Sequence, residues 1–183
     1  MGEKRHPSTM AAIGATGDTS KATDAAVTVG TYLKNLGFNL DFAPVADIAS
    51  TTSSALARRS FGADAATVAP MVRAQVGGYL STGILCCAKH FPGIGGAEGD
   101  SEKELVYTHS TLDEMKTSEL LPFEAVIDAG VPMIMSGIIP GFLRGLFVFQ
   151  TPFDGAFRGD FAILAMMCLV ADWVFCRIAS SLR

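Results

Sequence analysis

Between residues 38 and 140 the chain alternates short apolar runs with amphipathic helical stretches, and that rhythm leaves few folds open. Phe38, Leu40 and Phe42 alternate with polar neighbours, as in a half-buried strand. Ile84-Leu85-Cys86-Cys87-Ala88 is apolar throughout, the pattern of a strand covered on both faces in a parallel sheet. Residues 131–136 read as a third strand. A first helix precedes this region, capped by Thr19 or Ser20. Val29, Tyr32, Leu33 and Leu36 are expected on its buried face, and Gly37 suits its end. A second helix starts at the Asp64 cap and closes at Gly83, with a kink expected at Pro70. Thr111 and Glu114 have the spacing of a capping box, and the helix behind them is interrupted at Pro122. Strands that alternate with helices are joined by right-handed crossovers, so the fold class is α/β with a parallel sheet.

In such sheets the ligand lies at the C-terminal ends of the strands. Polar residues stand there: Asp47 after the first strand, Lys89 and His90 after the second, Ser136 after the third. Periodicity alone does not separate an α/β barrel from a doubly wound sheet. Residues 91–110 form a long Gly-rich, acidic loop, and long loops in compact domains tend to be functional.

Charge narrows the partners. Among 183 residues, 14 are basic and 18 acidic, for a net charge of −4, with no basic patch for nucleic acid. The longest apolar tract, residues 161–170, is too short for a membrane span. The opening MGEKRHPSTM lacks the apolar core of a leader, so the default expectation is a cytoplasmic chain, whose parent can begin further upstream. The four cysteines, in two close pairs within apolar runs, read as core residues. No paired Cys spacing suggests zinc, and no metal or cofactor is expected.

Six side chains carry the candidate chemistry. Lys89 and His90 bring hydrogen-bonding groups suited to sugar hydroxyls or to the oxygens of an anion; the plain alternative is a salt-bridged surface pair. Arg59, before Ser-Phe-Gly, either grips a ligand carboxylate or hydroxyl or is an ordinary surface arginine. Asp47 either accepts hydrogen bonds from hydroxyls or forms a turn. Asp100 and Glu102 either serve as acid and base near a leaving group or are solvated loop acids. His109 reads as structural or solvated. Residues 93–100 lack the Gly-Lys-Ser/Thr ending of a phosphate loop, and their carboxylates repel phosphate.

The run KHFPGIGGAEGDSEKEL, followed by TLDEMKTSELLPFEAVIDAGVPMIMSGIIP, resembles glycoside hydrolase family 3, and most of all its β-N-acetylglucosaminidase branch. Upstream, PSTMAAIGATGD, LGFNLDFAPVADI and RRSFGADAATVA are similar to earlier blocks of the same catalytic barrel. The likeness spans roughly residues 7–140. It implies a partial (β/α)8 barrel and retaining hydrolysis of a terminal β-linked N-acetylglucosamine. On this likeness Asp47 lies near the sugar site, Arg59 matches the arginine of the Arg-Ser/Ala-Phe/Tyr-Gly block, and Lys89 and His90 match the sugar-binding Lys-His pair. Asp100 matches the aspartate of the Asp-Ser/Thr-His loop.

The chain also departs from that pattern. Glu102 stands where the loop's acid/base histidine belongs. Ile94 and Gly137 replace histidines common in relatives. No block after residue 140 resembles the strand that carries the family's nucleophilic aspartate. A barrel of this kind takes about 250 residues. The expectation is therefore a barrel fragment over residues 7–150, followed by a divergent apolar tail, 151–183. It keeps sugar-binding residues without a full catalytic set, so a non-catalytic sugar-binding remnant is the alternative. Open sheet edges are expected to favour self-association.

Overall fold

The computed structural model describes residues 9–49, 56–95 and 110–137, together with the backbone of 165–167. Helices α1 (Met10–Gly14) and α2 (Thr19–Asn35) lead into strand β1 (Leu40–Asp41). Then follow α3 (Ala65–Ser81), β2 (Leu85–Phe91), α4 (Leu112–Lys116), α5 (Leu121–Asp128), β3 (Met133–Ser136) and β4 (Ala165–Met167). The sheet order is β1-β2-β3-β4, with every neighbouring pair parallel. This is the α/β class with a parallel sheet that the alternation implies.

Local chemistry sets the boundaries. Asp18, rather than Thr19 or Ser20, caps α2: its carboxylate accepts from the Ser20 backbone N–H at 3.0 Å. A carboxylate one residue before the helix reaches free N–H groups that the hydroxyls inside the first turn do not. Asp64 caps α3 through the Thr67 N–H at 2.8 Å, and Thr111 and Glu114 form the reciprocal box at α4. Gly37, Gly83 and Gly130 take left-handed φ values of 88°, 74° and 80° just past their helices. Helix α3 continues through Pro70 as one element.

The core lies between the helices and one face of the sheet. Phe61, Val68, Val72, Val76, Phe123 and Val126 pack there against Ile84, Cys86, Ala88 and Ile134. Helix α2 meets this core with a face other than the one its large apolar residues suggest. Its buried residues are Ala22, Ala26 and Gly30, at four-residue spacing, while Tyr32 and Leu36 are 64% and 57% exposed. The reason is the close approach of α3: a Cβ on Gly78 would lie 2.7 Å from the Ala26 Cβ and 2.8 Å from the Thr23 carbonyl oxygen. Small residues on both helices allow that contact; of the four large residues expected on the buried face, Leu33 packs against the core while Val29, Tyr32 and Leu36 are turned outward.

Two strands differ from expectation. Regular pairing in β1 covers only Leu40 and Asp41, because Pro44 interrupts the run. The chain still tracks β2 beyond it: the Cys87 N–H donates to the Ala43 carbonyl at 2.9 Å and the Ala46 N–H to the Lys89 carbonyl at 2.7 Å. Strand β4 falls in the segment for which no strand is expected. Its backbone aligns Ala165 with Ile134 and Met167 with Ser136. A continuous apolar run fits a buried strand or a buried helix segment alike, and here no flanking pattern of turn and helix decides between them.

Candidate functional site

Strand β2 ends in the polar pair. Its ladder with β3 passes from Lys89 opposite Met135 to Phe91 opposite Ser136, so His90 is an extra residue in the register. Such a bulge re-aims the side chain of the residue it inserts. The extension of β1 past Pro44 brings Asp47 level with this point. Its Oδ2 lies 2.7 Å from His90 Nδ1 and accepts from the His90 backbone N–H at 3.0 Å; its Oδ1 accepts from the Ile94 N–H at 2.8 Å. The Asp47 side chain is fully buried, whereas His90 keeps 18% of its side-chain surface.

The expectation that Asp47 accepts hydrogen bonds from hydroxyls thus meets a carboxylate already committed to the protein. Asp47 ties the turn after β2 to the end of β1. Ser60 supports it from the next loop, donating its hydroxyl to the Asp47 carbonyl at 2.7 Å. A Cβ at Gly95 would strike the Ile48 carbonyl, so the turn packs directly on the β1 extension.

Lys89 sits beside the dyad, half-buried. Burial first, and then the Arg59 charge, hold its ammonium below the ordinary value, only partly offset by Asp41, Cys87 and Asp47. Arg59 and Lys89 therefore share one electropositive corner. Lys89 Nζ lies 6.0 Å from the centre of the Phe42 ring, whose face is partly open to solvent. Ser136, at the end of β3, is buried beside this corner, and the Gly137 N–H donates to the Phe91 carbonyl at 2.7 Å.

The structure thus gathers Asp47, Arg59, Lys89 and His90 at the C-terminal edge of the sheet. Asp100, Glu102 and His109 lie outside the described residues. Phe42 and Ser60 belong to the corner although sequence reasoning singled out neither. Ser60 lies inside the Arg-Ser-Phe-Gly block, and Phe42 shows in the sequence only the alternation of a strand residue. Among the described residues no group of His, Cys, Asp and Glu could hold a metal ion, and no helix is long and apolar enough to cross a membrane.

A parallel α/β sheet with two cations and a carboxylate-held histidine at its C-terminal strand edge has its polar groups where α/β folds place their ligand sites. The family follows from comparison with known proteins. The model of the glycosyl hydrolase family 3 N-terminal domain matches residues 2–142, and the chain belongs to that family. It is 35% identical over 147 residues to a β-N-acetylglucosaminidase/β-glucosidase of Cellulomonas fimi, covering 79% of this chain and 26% of that protein. It is 37% identical over 120 residues to β-hexosaminidase A of Pseudoalteromonas piscicida, covering 64% of this chain and 20% of that protein.

The fold is similar to that of a family 3 β-N-acetylglucosaminidase from Paenibacillus sp., with a TM-score of 0.72 and 28% identity over 87% of this chain and 32% of that one. It is also similar to LpqI of M. tuberculosis, with a TM-score of 0.73 and 26% identity over 87% of this chain and 50% of that one. The chain thus spans only 26% and 20% of the length of the two curated relatives.

Proposed function

We propose that this chain carries the sugar-binding corner of a family 3 glycosidase that hydrolyses terminal β-linked N-acetylglucosamine with retention of configuration. The observation that carries the reading is the convergence of Arg59, Lys89 and His90 on one strand edge, with Asp47 buried behind them. Polyhydroxyl ligands need several fixed donors and acceptors in a small volume, and this corner supplies them. The names of the relatives support N-acetylglucosamine as the sugar.

The sheet supports a partial (β/α)8 barrel. Its strands are all parallel, and the face turned away from the helices bears Leu40, Phe42, Leu85, Met133 and Met135, with Leu85 and Phe42 exposed. An apolar second face calls for more chain to cover it, as a closed barrel provides. Retaining hydrolysis needs an acid/base and a nucleophile about 5 Å apart. In this reading Asp100 and Glu102 sit on the acid/base loop, and the nucleophile is missing, so the chain binds sugar without turning it over.

Calorimetry with N-acetylglucosamine tests this. Millimolar binding that Lys89→Ala and His90→Ala each weaken is the expected result; undetectable binding at millimolar sugar overturns it. Hydrolysis of a chromogenic β-N-acetylglucosaminide at ordinary enzyme rates would show that a nucleophile is present after all.

A further inference from the structure

We propose that Asp47 is a positioning residue that holds His90 as the Nδ1–H tautomer, so that the corner offers its ligand a hydrogen-bond acceptor at Nε2 beside the donor Lys89. The argument starts at the carboxylate. Asp47 accepts at both oxygens, from the backbone N–H groups of His90 and Ile94. The ring nitrogen 2.7 Å away shares Oδ2 with the His90 N–H. An ionised carboxylate only accepts, so the hydrogen between them belongs to Nδ1. In a neutral imidazole the other nitrogen then carries the lone pair.

The consequence is a choice of ligand chemistry. Lys89 only donates, and a Nε2 lone pair only accepts. A hydroxyl does both, and an amide N–H satisfies Nε2. A carboxylate or sulfate oxygen satisfies Lys89 and Arg59 but meets Nε2 lone pair to lone pair. The anion alternative that the Lys-His pair leaves open in the sequence is therefore disfavoured by a residue that does not touch the ligand. The ligand half of this inference rests on the carbohydrate reading; the tautomer half does not.

Long-range proton–nitrogen correlation spectra of the full 15N-labelled chain at neutral pH separate the two halves. The chain has three histidines, and His90 is assigned by the signals lost in His90→Gln. The expected pattern is a protonated Nδ1 and an unprotonated Nε2. An Nε2–H tautomer, or an imidazolium protonated at both nitrogens, overturns the proposal. Asp47→Asn is expected to move the hydrogen to Nε2 and to weaken N-acetylglucosamine binding about tenfold; should that variant fail to fold, the wild-type spectrum still decides. Added N-acetylglucosamine is expected to shift Nε2, and sulfate, which carries no hydroxyl at neutral pH, is not. A shift with sulfate alone overturns the ligand half. Silence with both leaves the tautomer established and overturns the carbohydrate reading.

Discussion

Asp47 and His90 are 43 residues apart in the chain, and their Oδ2 and Nδ1 atoms are 2.7 Å apart in the fold. The carboxylate joins two loops as well as one ring, because it also accepts from the Ile94 N–H across the turn that leaves β2. Removing it strands three donors in a dry setting.

Asp47→Ala should therefore cost about 3 kcal/mol or more, since each buried donor left without a partner costs about 1–3 kcal/mol. Urea unfolding followed by circular dichroism measures this as a fall in midpoint at unchanged slope. A loss below about 1 kcal/mol would mean that water enters and replaces the carboxylate.

Lys89 illustrates the opposite balance. Burial and the Arg59 charge both disfavour its ammonium, so the folded state binds that proton less readily than the unfolded chain does. A depressed lysine opposes folding at neutral pH, and the penalty fades as pH rises toward the ordinary value of 10.5. Lys89→Met keeps the stem's volume and removes the charge. It should raise Tm, by a small amount because the half-exposed ammonium keeps part of its water, while weakening binding of N-acetylglucosamine. A lower Tm for the variant, with sugar absent, contradicts the account.

What could be read from the residues, and what could not, divides along one line. Signals confined to a few neighbouring residues held: the Thr111–Glu114 box, the Asp64 cap, the apolar β2 run and the glycines that end helices. The polar ends of successive strands also located the corner, because strand direction alone brings them to one edge. What failed needed a partner distant in sequence. On α2 only Leu33 of the four expected residues packs on the core, because Gly78, on another helix, decides which side of α2 can approach. The inward commitment of Asp47 depends on a bulge at His90 that no period announces.

Adjacent glycines in α3 give that packing argument a test of sign. Gly77 has nothing within 4 Å of an added Cβ, so Gly77→Ala should stabilise by about 0.5–1 kcal/mol through helix propensity alone. At Gly78 the same methyl meets the Ala26 Cβ at 2.7 Å and the Thr23 carbonyl oxygen at 2.8 Å, and the helices must separate. Overpacking of this kind costs about 1–3 kcal/mol, so Gly78→Ala should destabilise on balance. Equal effects at the two positions, read as unfolding midpoints, would show that α2 and α3 are not in tight contact.

The thiols of Cys86 and Cys87 should be inert while the chain is folded. Burial pushes them up to about 12 and about 11, with the neighbouring Cys87 and Asp41 adding to the first, and burial raises the Tyr79 hydroxyl as well. All three bind their protons more tightly folded than unfolded. Their contribution to stability is full below about pH 9 and is lost as pH rises toward 12. The unfolding midpoint should fall steeply above pH 9, and labelling of these two cysteines at pH 8 should run no faster than unfolding. Rapid modification of either in the folded chain would place it at the surface.

The outward face of α2 bears on how the isolated chain behaves. Val29, Tyr32 and Leu36 recur along one exposed side, and Phe38 follows them at 57% exposure. Beside them β1 stands at the end of the sheet with one edge unpaired among the described residues. An apolar face next to an open strand edge draws a second copy unless charge opposes it, and only 17% of the residues are charged. The chain should therefore self-associate at micromolar concentration. Tyr32→Lys with Leu36→Lys should shift it toward monomer without lowering the unfolding midpoint, because neither side chain contributes to the core. Light scattering coupled to size exclusion reads the mass directly. A wild-type monomer across that range would show that the face is tolerated in water, and a destabilised double variant would show that it packs inward.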